Sequence, residues 1–545
     1  MKKLSVLILF ILSVPACAAN MPDNVYFRAM RDEMARTKNE LRVKGAPKPF
    51  FAAYKLTRKT EGSVSASFGA AYRHGSPRTS LSVQAYVYAG DAKNNSSGFD
   101  SDLFYYRPSR VENVPQSYEG IRRALWEASD FAFLTASDRY EKKVAYKRRK
   151  TILDDGPEFS RAPRAGYAEP IEEFDADAQR YLPLAEKMSA LGKDVPYLEQ
   201  FFVLFSRTQR VVYFLDSEND FYQYAIASVS IRLEAHLRNR DGYKENFWEV
   251  LSFPADQIPD EAKLMEKSRK FLAQAKQYYA AKRAQPYVGP VLLQPGASGG
   301  FFNQLFVRNA RYAKPLLSAQ DVTDASAGSF KDKTGMRVIS RMFDVYDRPA
   351  LHRYGEKLLT GFTPVDDEGV AAQELQLVKK GVLTALPAAR NALKFQGRSN
   401  GRARLGDNTL PRANLTNVFF EPASPLPAGE MEEKLLDRCR ELELEYCYIF
   451  SSFPSLNNGQ GEMPFAERIY TKDGHKEPAY GLRLEGVTPR SLRDVIAAGD
   501  DAEAFSVQDG GGVNLSVVAP SVIVDEMEVM PSQRQPNRKP FVPLP

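Results

Sequence analysis

The four histidines, His74, His236, His352 and His475, are each more than a hundred residues from the next. No local pair can present two imidazoles to one ion, as an H-E-x-x-H helix does. Only a site assembled from distant segments is open to them, for instance His352, His475 and neighbouring acids. The cysteines are Cys17, Cys439 and Cys447. Two thiols make no structural zinc site without further ligands. Cys439 and Cys447 could meet in a disulfide if the helix carrying Cys439 ends between them. Otherwise they are small buried residues.

Two further patterns could do chemistry. Gly296-Ala297-Ser298-Gly299-Gly300 matches G-x-S-x-G between a strand and a helix, the setting of a nucleophile elbow, with Asp473 and His475 as candidate partners for Ser298. Pro295 is awkward at such a turn, and Asp473 and His475 fall at a hairpin tip, so a serine hydrolase is a minor alternative. Asp366-Asp367-Glu368 could bind a hard cation or supply acid and base groups. Followed by Gly369 between two strand patterns, it reads more simply as a hairpin turn. No P-loop, dinucleotide fingerprint or EF-hand loop is present. After Gly300, Phe301, Phe302, Leu305 and Phe306 form the apolar stripe of a helix, with Asn303, Gln304 and Arg308 as its polar remainder.

These groups must be positioned by elements of two textures. Amphipathic helices are expected at Val25–Val43, Ser117–Lys147, Ile171–Leu191 and Pro259–Arg283. Strands are expected at Ala52–Arg58, Gly62–Arg73, Thr79–Ala89, Gln209–Phe214 and Ala225–Arg238. From about Gln285 the chain turns to short strands and turns. Tyr287–Leu293 is a buried strand, Phe362–Leu386 a meander, Gly429–Leu444 a helix and Glu467–Leu484 a hairpin around Asp473-Gly474. Leu515–Val518 and Ser521–Val529 are closing strands. The fold class is therefore α+β. Residues 20–284 form an N-terminal α/β sandwich-like domain with long helices, residues 285–530 a β-rich C-terminal domain, and residues 531–545 a Pro-rich tail.

Composition is that of a globular chain, 43% hydrophobic and 26% charged, with a formal net charge of +6. The densest basic run, Lys142-Lys143 to Lys147-Arg148-Arg149-Lys150, closes a helix pattern and reads as a solvated helix end. It lacks the interleaved aromatics of a nucleic-acid surface. Lys2-Lys3, the apolar run Leu4–Val14 and Pro15-Ala16-Cys17-Ala18-Ala19 have the layout of a secretory signal peptide over residues 1–19. Export to the periplasm or cell envelope is expected. Val14-Pro15-Ala16-Cys17 also resembles a lipoprotein signal, so membrane attachment is expected only if Cys17 is lipidated.

In order along the chain, several segments resemble the TldD/PmbA (TldD/TldE) metallopeptidase family. They are Gly289–Leu293 with Pro295-Gly296, Tyr346-Asp347-Arg348-Pro349, Asp366-Asp367-Glu368-Gly369-Val370, Lys380-Gly381-Val382-Leu383, Arg398–Arg404 around Asn400, and Val518-Ala519-Pro520-Ser521. Together with the Pro-rich tail, the last resembles the family's exported, TldD-related branch. The resemblance implies a TldD/TldE-type C-terminal domain, peptide handling, and pairing with an active TldD-like subunit or with itself. It also implies an H-E-x-x-x-H zinc helix and a later cysteine ligand. Here the first histidine falls on Asn303, the glutamate on Gln304 and the second histidine on Arg308, and the region of the cysteine, Ala504–Gly512, has none.

Asparagine and arginine are poor zinc ligands, and glutamine takes no proton from water at neutral pH. A spacing of five also sets two side chains about 140° apart on an ideal α-helix. Val307 stands where the family's motif has a glycine to ease that geometry. The implied reading is a catalytically degenerate, TldE-like subunit with no metal or cofactor of its own, zinc being expected only in an active partner. Arg308 could grip a carboxylate or pair with an internal acid, and Asp366, Asp367, Glu368 and Asn400 are the other candidate binding residues. An active metallopeptidase with a relocated site and a cell-envelope peptide-binding or structural protein are the alternatives.

Overall fold

In the N-terminal half, alternating apolar and polar residues build strands far longer than their apolar runs. The computed structural model describes residues 20–100, 109–151, 157–195, 197–311, 316–318, 322–323, 328–391, 398–407, 410–509 and 512–534. The signal-peptide pattern, Cys17 and most of the Pro-rich tail lie outside the described residues. Strands Pro49–Ser67, Ala70–Ala89, Leu198–Asp216 and Phe221–Arg238 form the centre of one antiparallel sheet. Lys244–Pro254 pairs with Phe221–Arg238 at one side and Ser109–Val111 with Ala70–Ala89 at the other.

The expected break at Gly62 and a strand running through to Arg73 are corrected. The chain reverses at Phe68-Gly69, where both residues have positive φ, 46° and 78°. Gly62 lies inside the strand, where a Cβ would collide with the Ala176 carbonyl. It is there for close backbone approach and not for a turn.

Helices Val25–Asn39 and Tyr118–Lys150 cover one face of the sheet, burying Phe27, Met30, Ile121, Leu125 and Phe133 against Tyr54, Leu56 and Val83. Helices Leu182–Ala190 and Glu261–Ala280 belong to a second core with Phe201, Val203, Phe205 and Ile231. The helix expected from Ile171 begins only at Leu182. Asp175 and Asp177 each accept from the backbone N–H two residues on, at 2.8 and 2.9 Å, which competes with helix. Arg207 and Gln209 donate to the carbonyls of Asp175 and Glu172, fixing the segment as an extended strap. The basic run closes the helix with Lys142, Arg148, Arg149 and Lys150 exposed, as expected, but Lys143 is an exception. Lys143 is fully buried and donates to the carbonyls of Asn95 and Ser97, both at 2.7 Å, and to Glu158.

In the C-terminal half, strand Tyr287–Leu293 pairs with Val522–Pro531 and with Tyr446–Phe450. The pairing continues through Gly461–Tyr470 and Lys476–Glu485 back to Val522–Pro531, so five strands close on themselves. A second sheet runs Val382–Leu383, Leu375–Lys379, Phe343–Asp347, Asn417–Pro422, Asn514–Ala519, Glu503–Gln508. One large core lies between them, threaded by Phe301, Phe302, Leu305 and Phe306.

Helix Met431–Glu441 ends between Cys439 and Cys447, and the two cysteines are joined as a disulfide with their Cα atoms 6.4 Å apart. Alternation in the first sheet turns Phe51, Tyr86, Tyr88, Phe214, Tyr222 and Tyr224 to the face opposite the first helices. There they pack on Phe362, Val365 and Leu405 of the C-terminal half. The architecture is the mixed, strand-rich α/β arrangement expected.

Candidate functional site

The helix entered from strand Tyr287–Leu293 spans Pro295–Phe302, so all five residues of the G-x-S-x-G pattern lie inside it. They form no elbow. A Cβ at Gly299 would stand 2.6 Å from the Phe505 ring, one at Gly300 2.8 Å from the Phe453 side chain, and one at Gly296 2.8 Å from the Ser451 carbonyl. These glycines seat the helix against its neighbours. Ser298 is fully buried, and its hydroxyl has no hydrogen-bond partner among the described residues. Asp473 and His475 bond to each other at 2.7 Å on an exposed hairpin tip. Ser298 is therefore not presented as a nucleophile to Asp473 and His475, which counts against the serine-hydrolase alternative built on them.

Beyond Phe302 the helix widens to a π turn over Asn303–Val307, closed by a bond from the Arg308 N–H to the Asn303 carbonyl at 3.1 Å. This corrects the expectation that a spacing of five keeps the two positions on different faces. A π turn bonds residue i to i+5, so Asn303 and Arg308 are separated by about one turn and lie nearer in rotation than they would on an α-helix. Val307 does not prevent it, being fully buried in the core between the sheets. The Asn309 side chain donates to the Leu305 carbonyl at 2.9 Å, serving a helix-end group that would otherwise be unpaired. Asn303 is buried, Gln304 half-buried and Arg308 exposed. None of the three side chains bonds to another described residue, and Arg308 has no internal acid.

Arg311, one turn further on, meets Asp509 at 3.3 Å, and Asn414 donates to the same carboxylate oxygen at 2.8 Å. Asp509 follows strand Glu503–Gln508. The Ala504–Gly512 region therefore does reach this helix, through Phe505 on Gly299 and Asp509 on Arg311. Burial lowers the Arg311 guanidinium below the usual arginine value; Asp509 opposes this, while Arg308 and Arg412 add to it. Arg311, Arg412, Asn414 and Asp509 were not singled out in the sequence. They come from three separate segments, and only the i, i+3 spacing of Arg308 and Arg311 was there to be read.

The Asp366-Asp367-Glu368 turn is buried at the junction of the two halves. Gly369 closes it with φ of 78°. Asp366 accepts from the N–H groups of Glu368, Val370 and Ala403, each at 2.9 Å. Burial nevertheless pushes its carboxyl up to about 7. Asp367 accepts from Lys55 at 2.9 Å, from the Leu405 N–H at 2.7 Å and from the Tyr222 hydroxyl. Burial alone would raise it, but Lys55 and Arg404 outweigh burial and hold it below the usual carboxylate range.

Glu368 accepts from the Arg390 N–H at 2.6 Å, and burial, then the neighbouring Asp366, push it up to about 8. Asp216 lies behind Gly369 with one carboxylate oxygen unpaired, its pKa raised by burial and by Asp220. Asp367, through Lys55 and Tyr222, and Glu368, through the Tyr88 hydroxyl, bond across the junction, whereas Asp366 holds the turn itself. Asn400 is likewise occupied, accepting from the Ala388 N–H at 2.8 Å and donating to the Leu386 carbonyl at 3.0 Å.

His352 stacks on Phe362 and pairs with Glu169 at 3.4 Å, whereas His475 stacks on Tyr470. Among the described residues no group of three or more His, Cys, Asp or Glu side chains has the geometry to hold a metal ion. The donors at 303, 304 and 308 do not fit zinc, for the chemical reasons given above.

Residues 286–531 match the PmbA/TldA metallopeptidase C-terminal domain. A metalloprotease of Methanothermobacter thermautotrophicus is 25% identical over 218 residues, 39% of this chain and 42% of that protein. A metalloprotease PmbA homolog of Haemophilus influenzae is 25% identical over 201 residues, 36% of this chain and 38% of that protein. The matches thus span about two-fifths of these relatives' length. The crystal structure of TldE from Thermococcus kodakarensis superposes with a TM-score of 0.61 at 14% identity, covering 92% of this chain and 100% of that one. The fold is therefore shared along nearly the whole chain, and the likeness to the PmbA/TldA metallopeptidases in sequence rests on residues 286–531.

Proposed function

We propose that the chain is a non-catalytic, TldE-like subunit of an exported peptide-processing assembly. One observation carries this reading. The π turn spaces positions 303 and 308 by about one helical turn, yet the side chains there are an amide and a guanidinium, with a second amide at Gln304. The backbone suits a pair of ligands five residues apart, and the donors do not suit zinc. An active TldD-like partner that keeps H-E-x-x-x-H would supply the metal, and this chain would supply part of the enclosure that holds an extended peptide.

Elemental analysis of the purified, dialysed protein tests the non-catalytic role. The expected zinc content is far below one per chain, with no chelator-sensitive peptide cleavage. Stoichiometric zinc with such cleavage would overturn the reading. Pull-down from the native envelope tests pairing, the expected partner being a relative with the intact motif; a chain that stays alone would refute it. Export is supported by the layout of residues 1–19. Intact mass of the mature protein is expected to show cleavage in that region, with added lipid mass if Cys17 is the anchor. A full-length cytoplasmic product would count against export.

A further inference from the structure

We propose that Arg308, Arg311 and Arg412 form a receptor for the C-terminal carboxylate of a peptide. The inference rests on the non-catalytic reading of this helix and deepens it by naming a ligand class. Arg308 and Arg412 are exposed, and among the described residues their guanidinium groups have no ion pair or hydrogen bond, while Arg311 shares Asp509 with Asn414. The Nε of Arg311 is buried with no partner. Arg308 precedes Arg311 by three residues on the helix, and Arg412 precedes by two residues Asn414, which bonds the same Asp509 oxygen as Arg311; both arginines oppose the Arg311 charge. Gathering like charges is unfavourable unless an anion joins them, and a guanidinium fork matches a carboxylate in two parallel hydrogen bonds. The unpaired amides of Asn303 and Gln304 lie on the same stretch of helix and could serve the neighbouring peptide group.

The topology favours a chain end over a free anion. Strand Glu503–Gln508 is the outermost of its sheet among the described residues and leads directly to Asp509. A segment added parallel to it by backbone pairing would deliver its C-terminus to the arginines.

Binding of a fluorescent N-acylated tri-alanine with a free C-terminus, of the same peptide as its amide, and of inorganic phosphate as competitor tests this on the full chain. The acid is expected to bind at least about tenfold more tightly than the amide, the scale of one lost charge-assisted hydrogen bond. Arg308→Ala and Arg412→Ala are each expected to weaken the acid about tenfold and leave the amide unchanged, with Arg308→Lys intermediate. Both arginines are exposed, so the variants should keep the wild-type circular dichroism spectrum. Equal binding of acid and amide, no binding of either to folded protein, or phosphate binding more tightly than the tripeptide would each overturn the proposal. Zinc content of the same preparations separates the two readings. Failure of binding in zinc-free protein sinks only the receptor, whereas stoichiometric zinc sinks the non-catalytic reading itself.

Discussion

Replacing Glu368 by glutamine tests whether the joint between the two halves holds a neutral carboxyl. Glu368 is fully buried, and burial with the adjacent Asp366 lifts it from 4.5 to about 8. The sign follows from proton counting. Between these values the folded chain holds a proton that the unfolded chain has released, so stability falls as pH rises. The contribution is fully present below 4.5 and is lost as pH passes through about 8. At roughly 1.4 kcal/mol per tenfold, the full effect is about 5 kcal/mol, of which about 3 kcal/mol falls between pH 5 and 8.

Glutamine cannot ionise, and its carbonyl oxygen can still accept from the Arg390 N–H. Asp366 has the same sign and Asp367 the opposite one, but both remain in the variant, so the difference isolates Glu368 to first order. Urea midpoints at pH 5, 6, 7 and 8 are the measurement. Glu368→Gln is expected to match wild type near pH 5 and to exceed it increasingly toward pH 8. If the variant instead loses stability toward pH 8, Glu368 is ionised against Arg390 and the reasoning fails.

Three other substitutions probe the frame around the site. Asp347 and Arg402 form a fully buried ion pair at 2.6 Å, and Thr416 and Asn417 also donate to Asp347. Asp347→Ala strands the guanidinium and should cost about 3–5 kcal/mol in chemical denaturation; a loss under 1 kcal/mol would refute the burial argument. Gly299→Ala gains helix propensity but drives a methyl into the Phe505 ring, for a net loss of about 1–3 kcal/mol. Adding Phe505→Leu should recover part of this, and strictly additive losses would show that the two do not touch. Cys439→Ala with Cys447→Ala opens a short covalent loop and should cost about 2.5 kcal/mol. Thiol labelling of the denatured, unreduced wild type checks the premise, since two reactive cysteines there would contradict it.

Much of the strand-rich mixed fold could be read from periodicity, because alternation and the 3.6-residue stripe reflect burial directly. The helix expected over Ser117–Lys147 is found at Tyr118–Lys150, with Ser117 as its N-cap. The failures share a cause. The Ile171 segment has helical spacing, but its aspartates bond their own backbone and its carbonyls are claimed by Arg207 and Gln209 on a distant strand. Gly62 looks like punctuation until Ala176 is placed against it. At the site, the identity of residues 303, 304 and 308 was legible, and the widened turn that carries them was not. A π turn has no sequence code of its own here; it is fixed by core packing on both sides of it. The acidic turn was legible as a turn. Its burial was not, since three carboxylates in a row look like surface until Lys55, Tyr222 and Arg390 come from elsewhere.

The widened helix turn bears on how such a site tolerates change. Leu305, Phe306 and Val307 are all buried within it. Tightening the turn to a regular α-helix would rotate everything beyond it by about 100° and unseat those side chains from their cavities. The shape at this position is therefore guarded by hydrophobic residues that touch no ligand, while Gln304 and Arg308 face outward and carry little of the stability. Structural hold and outward chemistry are therefore carried here by separate side chains: Leu305, Phe306 and Val307 keep the turn wide, and a change at Gln304 or Arg308 would leave that packing untouched.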